Sequence, residues 1–179
     1  MKKQKSIGNK GFSLVELIIV IAIMAILIGV MAPQLLRYVE RTRVSSDTQF
    51  ADSVRTAVTT AMMDPAVVSA TDGSATSISG LSTSTNLVTL MTTNNAFTQA
   101  IAETLGEDDP ADITQAWVTG NLKSTPASGA AGSMTIMVQT VNSNNVVVTI
   151  NGSNNNGNGA ITVGQNAAPA AGGAEESGS

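Results

Sequence analysis

The chain has 179 residues, a formal net charge of −4, and neither cysteine nor histidine. Those two absences together exclude disulfides, Cys/His zinc sites, thiol nucleophiles and histidine-based triads. Loss of residues 1–11 would remove four of the nine Lys+Arg and no carboxylate, moving the charge from −4 to −8. The distal chain therefore lacks the clustered cations that nucleic-acid phosphates require.

Lys2, Lys3, Lys5 and Lys10 precede a run from Gly11 to Pro33 that is apolar apart from Ser13 and Glu16, and from Leu17 to Ala32 no side chain is polar. A helix of ~20 apolar residues spans a bilayer core of ~30 Å. The lysines predict that the N-terminus stays cytoplasmic. A cleaved secretory signal fits poorly, because the run leads straight into an amphipathic helix and not into a small-residue cut site. Glu16 is foreign to a plain anchor, since insertion scales charge ~2.5–3.5 kcal/mol for an acidic residue at the bilayer centre. Near a helix start the macrodipole lowers that cost. A cut between Gly11 and Phe12 would create an α-amino group four residues before Glu16, able to neutralise it within a chain or between packed chains.

The stretch Lys-Gly-Phe-Ser-Leu-Val-Glu-Leu over residues 10–17 resembles the class III signal of type IV pilins and their pseudopilin relatives. The resemblance covers Lys2 to about Asp64. It implies that a prepilin peptidase cuts after Gly11 and methylates the amine of Phe12. Glu16 matches the family's acidic residue, whose implied role is pairing with the Phe12 amine of a neighbouring subunit. Pro33 matches the proline that ends the apolar run. With Gly29 it brackets a weak point, where the resemblance implies melting on assembly and Pro33 alone implies a kink. The family's frequent mid-run glycine is absent; Ala25 stands where it often falls.

From Gln34 to Met63 the pattern is amphipathic. Phe50, Val54, Ala57/Val58 and Ala61/Met62 form one apolar face. Arg37, Glu40, Arg41, Arg43, Asp47, Asp52 and Arg55 are assigned to the other faces, with Arg37–Glu40–Arg41 and Asp52–Arg55 spaced for surface pairs. Asp64-Pro65 ends the helix. Phe12–Met63 as one helix would run about 78 Å, too long for a small domain to bury, so its first half must lie in a membrane or among copies of itself.

Residues 66–93, rich in Ser and Thr, read as a loop with a short helix near 86–92; the loop is either plainly solvated or a carrier of O-linked sugars. Asn95–Leu105 reads as a helix stopped by Gly106. The acidic run 107–112 offers Asp108, Asp109 and Asp112 as a candidate calcium loop, but the spacing is not that of an EF-hand and a solvated turn is preferred. Ile113–Thr119 reads as a strand turning at Gly120-Asn121, with Trp117 in the core. Met134–Val141 and Val146–Ile150 read as a strand pair, with a short strand at Ile161–Val163. Residues 166–179 read as a disordered tail.

These elements predict an α+β fold, with a long N-terminal helix packed on a small antiparallel sheet. Its segments are a cleaved leader (1–11), a membrane or filament-core helix (12–33), an amphipathic helix (34–64), a variable loop with a short helix (65–112), the sheet (113–165) and the tail (166–179). Nothing in the sequence forms a catalytic constellation, and no cofactor or metal is expected. The resemblance implies a major pilin, a non-enzymatic subunit of a helical homo-oligomeric filament used for adhesion, motility or DNA uptake. Its implied partners are prepilin peptidase, the cytoplasmic membrane and the pilus assembly platform, with no specific nucleic acid. Its implied locations are that membrane before assembly and the cell surface after it. The alternatives are a pseudopilin of a type II secretion or competence system and a membrane-anchored monomeric binding domain.

Overall fold

The computed structural model describes residues 12–130, 132–141, 145–153 and 159–164. Helix α1 spans Leu14–Met63. It is followed by α2 (Pro65–Val68), α3 (Ser74–Gly80), strand β1 (Thr85–Asn86), α4 (Leu87–Met91), α5 (Ala96–Leu105), a 3-10 turn (Pro110–Asp112), α6 (Gln115–Asn121), β2 (Thr135–Val141), β3 (Asn145–Asn151) and β4 (Ala160–Val163). The architecture is α+β, as the sequence predicts. The chain divides into two compact units, Met1–Val39 and Glu40–Ser179. The leader and the tail lie outside the described residues.

In the second unit the four strands pair antiparallel in the order β1-β2-β3-β4. Ile136 faces Ile150 and Val138 faces Val148 across β2 and β3, and Ile150 faces Ile161 across β3 and β4. Alternate residues of β2 and β3 are buried, as the period-2 geometry of a half-buried sheet requires. Against them pack Ala51, Val54, Ala57, Val58 and Ala61 of α1, together with Leu81, Leu87, Phe97 and Ile101. The larger side chains each contribute about 1.5–3 kcal/mol by leaving water. Phe50 and Met62 flank this face, half-buried.

The Ser/Thr-rich stretch is more structured than a loop. Asp64 caps α2 by accepting from Ala66 N–H, with Pro65 in the first turn. Asn86 caps α4 through Val88 N–H. Asn95 and Thr98 form a reciprocal capping box on α5, and Gly106 closes that helix at φ +90°, a conformation that favours glycine.

Asp72 accepts from the Ser74 hydroxyl at 2.6 Å and from the backbone N–H groups of Ser74 and Ala96, joining the starts of α3 and α5. The Ser74 hydroxyl, then the Ala96 N–H, hold the carboxyl below its ordinary value. A lowered folded-state value means stabilisation that is complete above the ordinary carboxylate range and is lost as pH falls through the folded value. Asp72→Asn is expected to reduce stability at neutral pH and flatten the acid limb of a stability–pH curve. Thermal unfolding from pH 7 to 3 checks this; parallel curves for the two proteins would contradict it.

One predicted element differs in kind. Ile113–Thr119 is not a strand: Gln115–Asn121 is helix α6. Thr114 caps it by accepting from Trp117 N–H, and Asn121 Nδ2 donates to the Trp117 carbonyl. The β-branched residues suggested a strand. The capping threonine, and the Gln115 amide donating to the Gly132 and Met134 carbonyls, favour the helix. Trp117 is half-buried, 5.6 Å from Phe50 between ring centroids, and its indole N–H donates to Glu107.

Candidate functional site

The first unit carries the chemistry that the sequence singles out. Helix α1 opens with Ser13 and Glu16 acting on each other's turn. Ser13 N–H donates to Glu16 Oε2 at 2.9 Å, the Ser13 hydroxyl accepts from Val15 N–H at 3.3 Å, and the Ser13 carbonyl accepts from Leu17 N–H at 3.2 Å. The Ser-x-x-Glu spacing thus yields the acidic half of a capping box, which satisfies a backbone donor that the first turn would leave open. Glu16 also sits in the first turn, where the macrodipole favours its charge. One of its two oxygens is engaged locally. Phe12, next to this turn, is 93% exposed.

Beyond Glu16 the helix is apolar all round. Leu17, Ile18, Ile19 and Val20 follow one another at 100° steps around the helix, and each is more than half exposed. A helix that is hydrophobic on every side is built for burial in lipid or among other helices. Among the described residues, α1 is the helix long and apolar enough to cross a membrane, and none of its apolar window is buried within the chain. Gly29 and Pro33 lie inside α1, which runs through both; a side chain at Gly29 would meet open space. Gly11 lies outside the described residues.

The acidic turn uses its groups in local bonds and in a 3-10 turn. Asp109 Oδ1 accepts from Ala111 N–H at 2.9 Å and the Asp108 carbonyl accepts from Gln99 Nε2 at 2.7 Å. Asp112 belongs to the 3-10 turn. Among the described residues no group of three or more Asp, Glu, His or Cys could hold a metal ion.

Asp47 corrects the sequence reading. It is not on an outer face of α1 but fully buried, and it accepts from Lys123 N–H at 2.6 Å and Ser124 N–H at 2.9 Å. Two turns earlier, Glu40 accepts from Thr125 N–H and the Thr125 hydroxyl, both at 2.9 Å. These two carboxylates fasten residues 123–125 to the helix. The signal was present: Asp47, Ala51, Val54 and Val58 share one helical face, so spacing alone placed Asp47 inward. Glu40 pairs with Arg43 at 3.7 Å, where the spacing had suggested Arg37 and Arg41; the Asp52–Arg55 pair forms at 3.9 Å.

Residues 8–32 match the family model for the prokaryotic N-terminal methylation motif. The chain is also similar to type IV major fimbrial proteins FimA of Dichelobacter nodosus, with 41% identity to two of them and 42% to a third, in each case over 56 residues. That stretch is 31% of this chain and 35–36% of the relatives, so the match spans about a third of either protein. No solved structure matches.

Proposed function

We propose, from the premise that the chain starts as a type IV pilin starts, that it is the major structural subunit of a type IV pilus. The observation that carries this is the first unit itself: a helix apolar on every side, exposed throughout, opening on one carboxylate. Such a surface needs a membrane before assembly and neighbouring helices after it. In this reading a prepilin peptidase cuts between Gly11 and Phe12 and methylates the Phe12 amine. The mature chain waits in the cytoplasmic membrane, and an assembly platform then adds it to a growing filament. Identical subunits meeting through non-identical surfaces do not close a ring, so the contacts propagate as a helix.

Glu16 would pair there with the Phe12 amine of a neighbour. Two charges, each costly in an apolar core, become tolerable as a hydrogen-bonded pair. The carboxylate oxygen not engaged by Ser13 gives the incoming amine an acceptor without first breaking the cap. Gly29 and Pro33 are the proposed point at which α1 yields during packing, since Pro33 removes one backbone hydrogen bond. The acidic second unit would coat the filament and supply adhesion, motility or DNA-uptake contacts. No catalytic role is proposed.

Immunogold electron microscopy of intact cells tests the reading, with label along abundant surface filaments as the expected result. Label confined to the cell envelope would contradict a major pilin. The cut site has its own test: Gly11→Val places a branched side chain at the bond to be cleaved. Intact-mass measurement is expected to show leader retained on nearly all of the variant, and normal processing would refute the assigned bond.

A further inference from the structure

The stretch of α1 from Leu17 to Leu36, apolar except for Gln34, is about 30 Å long at ~1.5 Å per residue, matching a hydrocarbon core of ~30 Å. With Ser13 and Glu16 at one headgroup layer, Arg37 and Tyr38 arrive at the other. Both are exposed, Tyr38 by 70%. The ion pairs among the described residues are Arg43–Glu40 and Arg55–Asp52, so Arg37 has no carboxylate of its own among them. Glu40, three residues on, is already engaged by Thr125 and Arg43.

We propose that Arg37, with Tyr38 beside it, binds phospholipid phosphates at the outer face of the membrane that stores the unassembled subunit. The inference rests on the membrane-pool reading above and goes beyond it by naming a ligand. A guanidinium presents a planar fork of donors that matches two phosphate oxygens. A tyrosine ring favours the headgroup layer, apolar body inward and hydroxyl outward. Charge bookkeeping adds a second argument. Before cleavage, Lys2, Lys3, Lys5 and Lys10 hold the inner side; after it, the cationic side chains nearest the bilayer are Arg37, Arg41 and Arg43, all following the apolar run. Leader removal therefore inverts the cation balance across the membrane and leaves the outer phosphates as the charged contact of the stored subunit. At an anionic surface each such cation contributes about a fivefold preference.

The test uses the full-length chain with arginine carrying 13C in the guanidinium carbon, reconstituted in vesicles of phosphatidylcholine with phosphatidylglycerol. Resistance to alkaline washing is measured first, then dephasing of the arginine carbon by 31P in solid-state NMR. Phosphorus-dependent dephasing that falls by more than half in Arg37→Gln, with Arg37→Lys still inserted, is the expected result. A chain that washes out of the vesicles overturns the membrane-pool reading and this site with it. An inserted chain without dephasing, or with dephasing unchanged in Arg37→Gln, overturns the site alone. Arginine contact with 13C-labelled carboxylates of a second copy in place of phosphorus would assign Arg37 to subunit packing and overturn it equally.

Discussion

Glu16→Ala is expected to keep the chain in the membrane and abolish filament growth. The carboxylate is the one charged group within an otherwise apolar run, so its removal makes insertion easier; central acidic residues cost ~2.5–3.5 kcal/mol on insertion scales, and less near a helix end. In the proposed filament the variant would lose the partner for a neighbour's Phe12 amine, which would then enter an apolar core unpaired. It also loses the back-bond to Ser13 N–H seen at 2.9 Å. Glu16→Gln separates these effects. A glutamine carbonyl still accepts from Ser13 but cannot neutralise an amine, so Glu16→Gln should fail as Glu16→Ala does. Alkaline-wash resistance and electron microscopy of surface material read the two outcomes. Normal filaments from Glu16→Gln would reduce Glu16 to a helix cap.

The second large effect concerns stability. Asp47→Ala leaves the Lys123 and Ser124 N–H groups facing a void in a buried site. Hydrogen bonds to a charged group contribute about 1.5–3 kcal/mol each, and a buried donor left open carries its desolvation cost. Allowing for some entry of water, the expected loss is about 3 kcal/mol. For a unit of this size that is a fall of roughly 10 °C in Tm. Asp47→Asn keeps one acceptor oxygen but turns an amide N–H toward the second donor, so it should fall between wild type and Asp47→Ala. The single tryptophan, Trp117, lies in this unit against Phe50 and gives a fluorescence signal for its unfolding. An unchanged Tm in Asp47→Ala would mean that residues 123–125 are held by other contacts.

The long helix, the β2–β3 pair and α5 were legible because each follows one strong period or cap: apolar residues all round, then at three- and four-residue steps, then alternation. The Ser13–Glu16 relation was legible as spacing, though sequence could not say that the carboxylate already has a partner in its own turn. Misreadings fell where local preference and tertiary contact compete. Ile113–Thr119 has strand-like residues, yet the Thr114 cap and the Gln115 amide bonds make Gln115–Asn121 a helix. Asp47 was assigned outward because it is charged; two backbone N–H groups from residues 76 and 77 positions away make an inward carboxylate stable. The spacing places Asp47 inward, but the long-range donors that satisfy it there leave no trace in a local pattern. Strand β1 is opaque to sequence, because its two residues are strand only through pairing with Met137 and Val138.

In the proposed function the exposed apolar helix, beginning at a processed Phe12, is an assembly device. Mass spectrometry of the N-terminal peptide from sheared surface filaments tests it most directly. The expected result is filaments made chiefly of this chain, each copy starting at Phe12 with one methyl group on its amine. Filaments whose subunits keep residues 1–11, or a chain found only in the membrane fraction, would contradict it.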